Sequence, residues 1–279
     1  MKQSSFMRIR YYELLFCTIL TYLFCCSCSK DTTPEIESIT IVYNPYGIVI
    51  DNIHYRFHDY NKATVINTNG ENHPKSSNYS GDIVIPSSIE YDGQTKIVNE
   101  IYSYAFLGAK EMTSISLPET IENIGDWAFC DCAKLTAILI PEGVKIIESY
   151  TFTDCTSLTD IKIPNSVEKI ESFAFWGCSS LSKIKLPDKV SEIDDYLFQG
   201  CKNLKSVILG PNVTRIRLNA FNDTKSPINI YCYSLSAPKL DKVGLNIDIN
   251  KITFHVPKSA VDEYKKSYSS LNINIVGDL

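Results

Sequence analysis

The chain has 279 residues, 44% of them hydrophobic and 21% charged, with 10 cysteines, 12 glycines, 12 prolines and a formal charge of −5. That profile excludes collagen, mucin-like stalks and disordered polyampholytes, which carry far more Gly and Pro or far fewer apolar residues. The acidic balance argues against nucleic-acid binding, which rests on a surplus of Lys and Arg at the phosphates, and the length allows a large buried core.

Lys2, Arg8 and Arg10 form a basic start, followed by an apolar stretch over residues 14–24 and then Cys25, Cys26, Ser27 and Cys28. The stretch is too short to span a bilayer, which takes roughly 20 residues at 1.5 Å each, and residues 1–27 read as a cleaved export signal. Small Ser27 before Cys28 and polar Ser29, Lys30 and Asp31 after it resemble the signal of a bacterial lipoprotein, whose cysteine is acylated and becomes the new N-terminus. Cys28 is the preferred lipidation site. Cys26, which has Leu23 three residues before it, is the alternative, and an ordinary secretory signal is the plain one. Cleavage before Cys28 removes Lys2, Arg8, Arg10 and Glu13 and takes the formal charge from −5 to about −7. The mature chain is expected at the outer membrane or cell surface, held to the membrane by lipid alone.

Residues 28–37 read as a tether and residues 38–82 as an N-terminal cap, with strand-like runs at 47–57 and 63–67. Tyr91, Asp92, Gly93 and Gln94 are a hairpin-turn signal between the β-rich runs 83–89 and 96–101.

From Phe106 the sequence repeats with a period of 23. Phe106, Phe129, Phe152, Phe175, Phe198 and Phe221 form one column, Ile101, Ile124, Ile147, Ile170, Ile193 and Ile216 a second, and Pro118, Pro141, Pro164 and Pro187 another. Residues 135–140 are β-branched and alternate in their second half, so they predict a short strand ended by Pro141. A short helical or 3₁₀ turn is expected before Cys155, with Ser103, Asp126, Ser149, Ser172 and Asp195 as helix N-caps. Gly108, Asp131, Asp154, Gly177, Gly200 and Asp223 are residues that tolerate the left-handed backbone of a sharp corner. A lone copy offers about six large apolar side chains, too few to offset the ordering of its backbone, so copies must stack with their strands parallel. The predicted fold is an α/β solenoid, a right-handed coil of 23-residue repeats over residues 83–224, capped at both ends.

The unit P-x-x-V-x-x-I-x-x-x-A-F-x-G-C-x-x-L-x-x-I-x-[IL], fullest over residues 164–186, resembles the BspA-like class of leucine-rich repeat, and the likeness covers roughly residues 83–268. The resemblance implies an exported or surface-anchored bacterial protein that takes part in adhesion and carries no enzymatic activity in its repeats. Beyond the decaying sixth copy, residues 225–279 are assigned to a C-terminal cap, with strands at 251–256 and 272–276 and a capped amphipathic helix over 259–268.

Cys132, Cys155, Cys178 and Cys201 share one column. Parallel Cβ vectors on adjacent coils suit neither a disulfide nor a tetrahedral metal, so these read as buried free thiols. Cys130 lies in a column with Leu107, Thr153, Trp176, Gln199 and Asn222 and is expected at the surface, and Cys232 has no evident partner. His54, His58, His73 and His255 lie outside the regular copies, and no hydrolase, metalloprotease or nucleotide-binding motif is present. No enzyme, cofactor or metal is expected, although a site using His54, His58 or His255 is the minor alternative. The column Tyr104, Trp127, Tyr150, Phe173 and Tyr196 is read as packing between copies, with a sugar or peptide platform as the alternative.

Outward strand positions line the binding surface in leucine-rich repeats generally. Here they include Leu139, Asp160, Lys162, Lys183, Lys185 and Lys205, a basic strip on an acidic chain. The strip suits an acidic protein segment or a sulfated glycan. A solvated face without a partner is the alternative. A monomeric display scaffold is expected, with a structural component of a cell-envelope assembly as the second reading.

Overall fold

The structure, a computed structural model, describes residues 41–44, 47–58, 61–70, 75–225, 227–241 and 248–279. The expected export signal, the tether, Cys28 and His73 lie outside the described residues.

The chain enters through β1 (Ile41–Asn44), β2 (Gly47–Ile50), β3 (Ile53–Phe57) and β4 (Lys62–Val65), an antiparallel run. The sequence run 47–57 is therefore two strands and not one. Asp51 and Asn52 both take positive φ (50° and 63°), the geometry of a tight two-residue hairpin turn. Then come β5 (Ser80–Val84), β6 (Ser88–Tyr91) and β7 (Gln94–Ile101), with the expected hairpin between β6 and β7 closing at Asp92 and Gly93. β7 joins the two parts of the molecule. It pairs in parallel with β4 on one side, and its end, Glu100 and Ile101, pairs with the first coil on the other.

From there each coil contributes one strand to each of two faces. In chain order these are β8 (Glu111–Ser116), β9 (Asn123–Ile124), β10 (Ala137–Leu139), β11 (Ile146–Ile147), β12 (Asp160–Lys162), β13 (Lys169–Ile170), β14 (Lys183–Lys185), β15 (Glu192–Ile193), β16 (Ser206–Leu209) and β17 (Arg215–Arg217). They continue as β18 (Ile228–Cys232), β19 (Lys239–Asp241), β20 (Ile252–Val256), the helix α1 (Val261–Ser267) and β21 (Asn274–Gly277). Pairing between coils is parallel throughout, for example Ile138 with Ile161 and Ile184 with Val207. The even-numbered strands from β8 on, with β5 and β21 at the ends, make the strand face, which runs past residue 224 through β18, β20 and β21. The chain is a β-solenoid of about seven turns.

The third side of each coil holds little helix. A 3₁₀ segment, Leu218–Phe221, ends one coil and α1 follows β20, while in the coils before residue 218 the side is a chain of turns in which Ser103, Asp126, Ser149, Ser172 and Asp195 cap no helix. Two features prevent a helix. Tyr104, Trp127, Tyr150, Phe173 and Tyr196 have φ between 58° and 64°, and the Gly or Asp four residues on is also left-handed, whereas a helix needs an unbroken right-handed run. The turn amides are also committed to the next coil: Phe129 N–H donates to the Thr151 carbonyl at 2.9 Å and Asp131 N–H to Thr153 at 2.8 Å.

Inside this triangular tube the six phenylalanines are fully buried. Their rings stack nearly parallel at centroid separations of 5.3, 5.4, 5.6, 5.8 and 5.8 Å, and Tyr79 closes the end of the stack, tilted by 43° against Phe106 at 4.7 Å. The separations exceed the 4.7–4.9 Å between neighbouring strands, so the rings are offset, the arrangement that aromatic faces prefer. α1 buries Tyr264 against Phe254 at 6.2 Å, and its start has no side-chain cap.

Because each coil contacts only its neighbours, deleting a whole coil should preserve every interface type. Removing residues 140–162 is expected to leave a cooperatively melting protein, whereas removing half that length should not. Equal circular-dichroism melts for the two deletions would contradict the stacking account.

Candidate functional site

Strand alternation sets which side chains reach solvent. In β14 the central Ile184 is buried while Lys183 and Lys185 point out, and β10 and β12 repeat the pattern with Leu139, Asp160 and Lys162 outward. Parallel register then fixes the columns. Leu139 lies beside Lys162, Lys185 beside Ile208, Ile208 beside Tyr231, and Tyr231 beside His255. Lys183 neighbours Ser206, and Lys205 leads into β16, its amide donating to the Ser182 carbonyl at 2.9 Å.

The strip anticipated from sequence is therefore assembled on one face, with Lys162, Lys183, Lys185 and Lys205 all exposed and none in an ion pair among the described residues. Leu139 is 57% exposed. Past Lys185 the column passes to Ile208, as the period places it, and then, missed by sequence reading, to Tyr231 and His255, stacked at 4.4 Å; Tyr233 with Lys185 and Ile208 borders an open hollow of about 550 Å³. His255 bonds Asp278 at 2.8 Å and Asn229 at 3.1 Å.

The neighbouring face is different. Arg217 pairs with Asp194, Asp195 and Glu192, Arg215 with Glu192 and Asp241, and Lys169 with Glu171. Glu100, Glu122, Asp126 and Glu148 line a hollow there, and burial, with Asp126 and Glu171 nearby, raises the Glu148 carboxyl above its usual range.

The described histidines, His54, His58 and His255, do not converge on one site. Burial lowers the pKa of His54, which lies edge-on to Tyr79, while His58 contacts Arg56, Thr64 and Glu100. The aromatic column is stacked ring on ring, with Trp127 and Tyr150 at 4.1 Å and Tyr150 and Phe173 at 4.6 Å.

Cys132, Cys155, Cys178 and Cys201 are buried free thiols, each donating to the phenylalanine carbonyl 26 residues earlier at 3.0–3.2 Å. Cys130 is buried too, at 5% exposure, and not at the surface as its column suggested. Its small side chain is covered where the larger Trp176 of the same column projects, and burial pushes its thiol up to about 12. Cys232 accepts from the Tyr264 hydroxyl at 3.2 Å.

Burial likewise raises the pKa values of Cys132, Cys178 and Cys201. A pKa raised on folding contributes stability that is complete below the unfolded-state value and lost as pH rises through the folded one. The melting temperature should therefore fall above about pH 9, and the described cysteines should resist iodoacetamide at pH 8 until the chain unfolds. Rapid labelling of the native protein would refute their burial.

A coil with parallel strands on two sides, turns on the third and a leucine, isoleucine and phenylalanine interior defines a leucine-rich-repeat solenoid. Residues 99–229 match the BspA type leucine rich repeat region in six copies, so this segment is a BspA-like leucine-rich repeat region. It is similar in fold to a leucine rich cell surface protein of Faecalibacterium prausnitzii (TM-score 0.55, 24% identity), covering 87% of this chain and 56% of that one. It is also similar to the leucine rich repeat protein of T. pallidum (TM-score 0.54, 24% identity, 88% and 98% covered). A leucine-rich repeat protein of Bacteroides ovatus is a third (0.52, 21%, 82% and 76%). The chain thus spans little more than half the length of the Faecalibacterium protein. No curated protein matches it. Among the described residues no helix is long and apolar enough to cross a membrane.

Proposed function

We propose that the protein is a non-catalytic binding scaffold displayed at the bacterial surface, whose strand face takes an acidic protein segment or a sulfated glycan. The observation that carries this reading is the set of exposed lysines, Lys162, Lys183, Lys185 and Lys205, on one face of a chain with formal charge −5, none neutralised by a carboxylate among the described residues. The single carboxylate in the strip, Asp160, lies on β12 with Lys162, in the column that runs from Ala137 to Lys183, and makes no ion pair with either lysine. A rigid array of ammonium groups one coil apart attracts an anionic chain and steers it into register. Support at family level comes from leucine-rich repeats, which are binding scaffolds more than catalysts, and from the Faecalibacterium protein of similar fold, a cell surface protein.

In this reading the antiparallel strands ahead of the coils and the α1 segment after them close the two ends of a monomeric stack, and lipid on Cys28 ties the chain to the outer membrane. Lys162→Glu, Lys183→Glu and Lys185→Glu together should weaken retention on heparin or poly-glutamate at least tenfold. Unchanged retention on both removes the strip as the site. Replacing Cys28 by Ala should release the protein from the membrane fraction, and continued detergent-dependent sedimentation would move the anchor to Cys26.

A further inference from the structure

We infer that the turn face carries a second binding site, centred on Trp176, for a pyranose ring of an uncharged saccharide. Trp176 is 37% exposed, whereas Cys130, Thr153 and Asn222 of its column are buried. Its indole lies against Phe173 at 6.0 Å and 70°, a contact with the anchored aromatic column that fixes its inclination. One coil on stands Gly200, with φ 73°. A Cβ there would meet nothing nearer than 3.5 Å and would lie 3.8 Å from the indole Cδ1, so the bare backbone leaves a shelf beside the ring.

A hollow of about 660 Å³ opens between Trp176, Asp154, Thr156, Lys202, Asp223 and Lys225. Two carboxylates and two ammonium groups give its rim no net charge, so the hollow favours neither an anion nor a cation. It offers a flat aromatic surface bordered by groups that accept and donate hydrogen bonds. A sugar ring presents the complement, an apolar C–H face and a rim of hydroxyls that do both. Asp223 accepts from Gln199 Nε2 at 2.9 Å, which orients one of the rim carboxylates. The site shares no residue with the lysine strip and stands independently of it.

The test is affinity electrophoresis of the whole chain through gels containing dextran, mannan, xylan or laminarin. At least one should retard the protein, Trp176→Ala should weaken that interaction about tenfold, and Trp176→Phe should keep most of it. In a Trp127→Phe background Trp176 is the sole indole, so its emission should respond to the same polysaccharide. Should Trp176→Ala melt early, Lys202→Ala replaces it, with a several-fold loss expected. Absence of retardation by all four polymers, or retardation unaltered in the variant, overturns the proposal.

Discussion

The contact that orders this chain is the one between a coil and the next, and from Phe106 to Phe198 it has the same parts each time. A phenylalanine ring lies offset on its counterpart, strand pairs run in parallel, turn amides donate forward to the next coil, and a thiol donates backward to a phenylalanine carbonyl. Each buried phenylalanine contributes about 1.5–3 kcal/mol by removal from water, and its backbone polar groups are satisfied across the coil boundary. Neither term is available to an isolated coil, so order is a property of the stack and passes from neighbour to neighbour.

Features belonging to a column were legible in the sequence because the same choice is made in coil after coil. The phenylalanine core, the outward lysines and the left-handed corners at Gly108, Asp131, Asp154, Gly177, Gly200 and Asp223 all follow from the 23-residue period. Features decided by backbone geometry were not. An aromatic side chain carries no sign that Trp127 or Tyr150 will adopt positive φ, and that conformation is what turned an expected helix into turns. Asp51 and Asn52 lack the glycine of a strong hairpin signal, so one strand was read where two exist. Past residue 224 the register spacing becomes 24 from Tyr231 to His255 and 21 from His255 to Val276, which a fixed period does not follow. The aromatic continuation of the lysine column, and the hollow at Tyr233, were hidden for that reason.

The faces differ in electrostatic character more than in shape. On one, Arg215 and Arg217 are held among four carboxylates. Partly exposed pairs of this kind contribute little to stability individually, and their main effect is to neutralise that side. On the strand face Lys162, Lys183, Lys185 and Lys205 have no such partners among the described residues, and the positive potential there is unspent. The turn face is nearly balanced and presents an indole instead. One scaffold thus offers surfaces suited to different chemistries, set by which residues occupy positions that the core leaves free.

The thiols have a last consequence. Six described cysteines are buried, and none is joined to another. In an oxidising compartment these six thiols are shielded from oxidants while the coils stay closed, because exchange requires an accessible thiolate. Once opened, the same chain would release several thiols close together in sequence, and mixed crosslinks would trap it before the coils could restack. Under oxidising conditions, endurance of such a stack is governed by the rate of first opening rather than by the depth of the folded well.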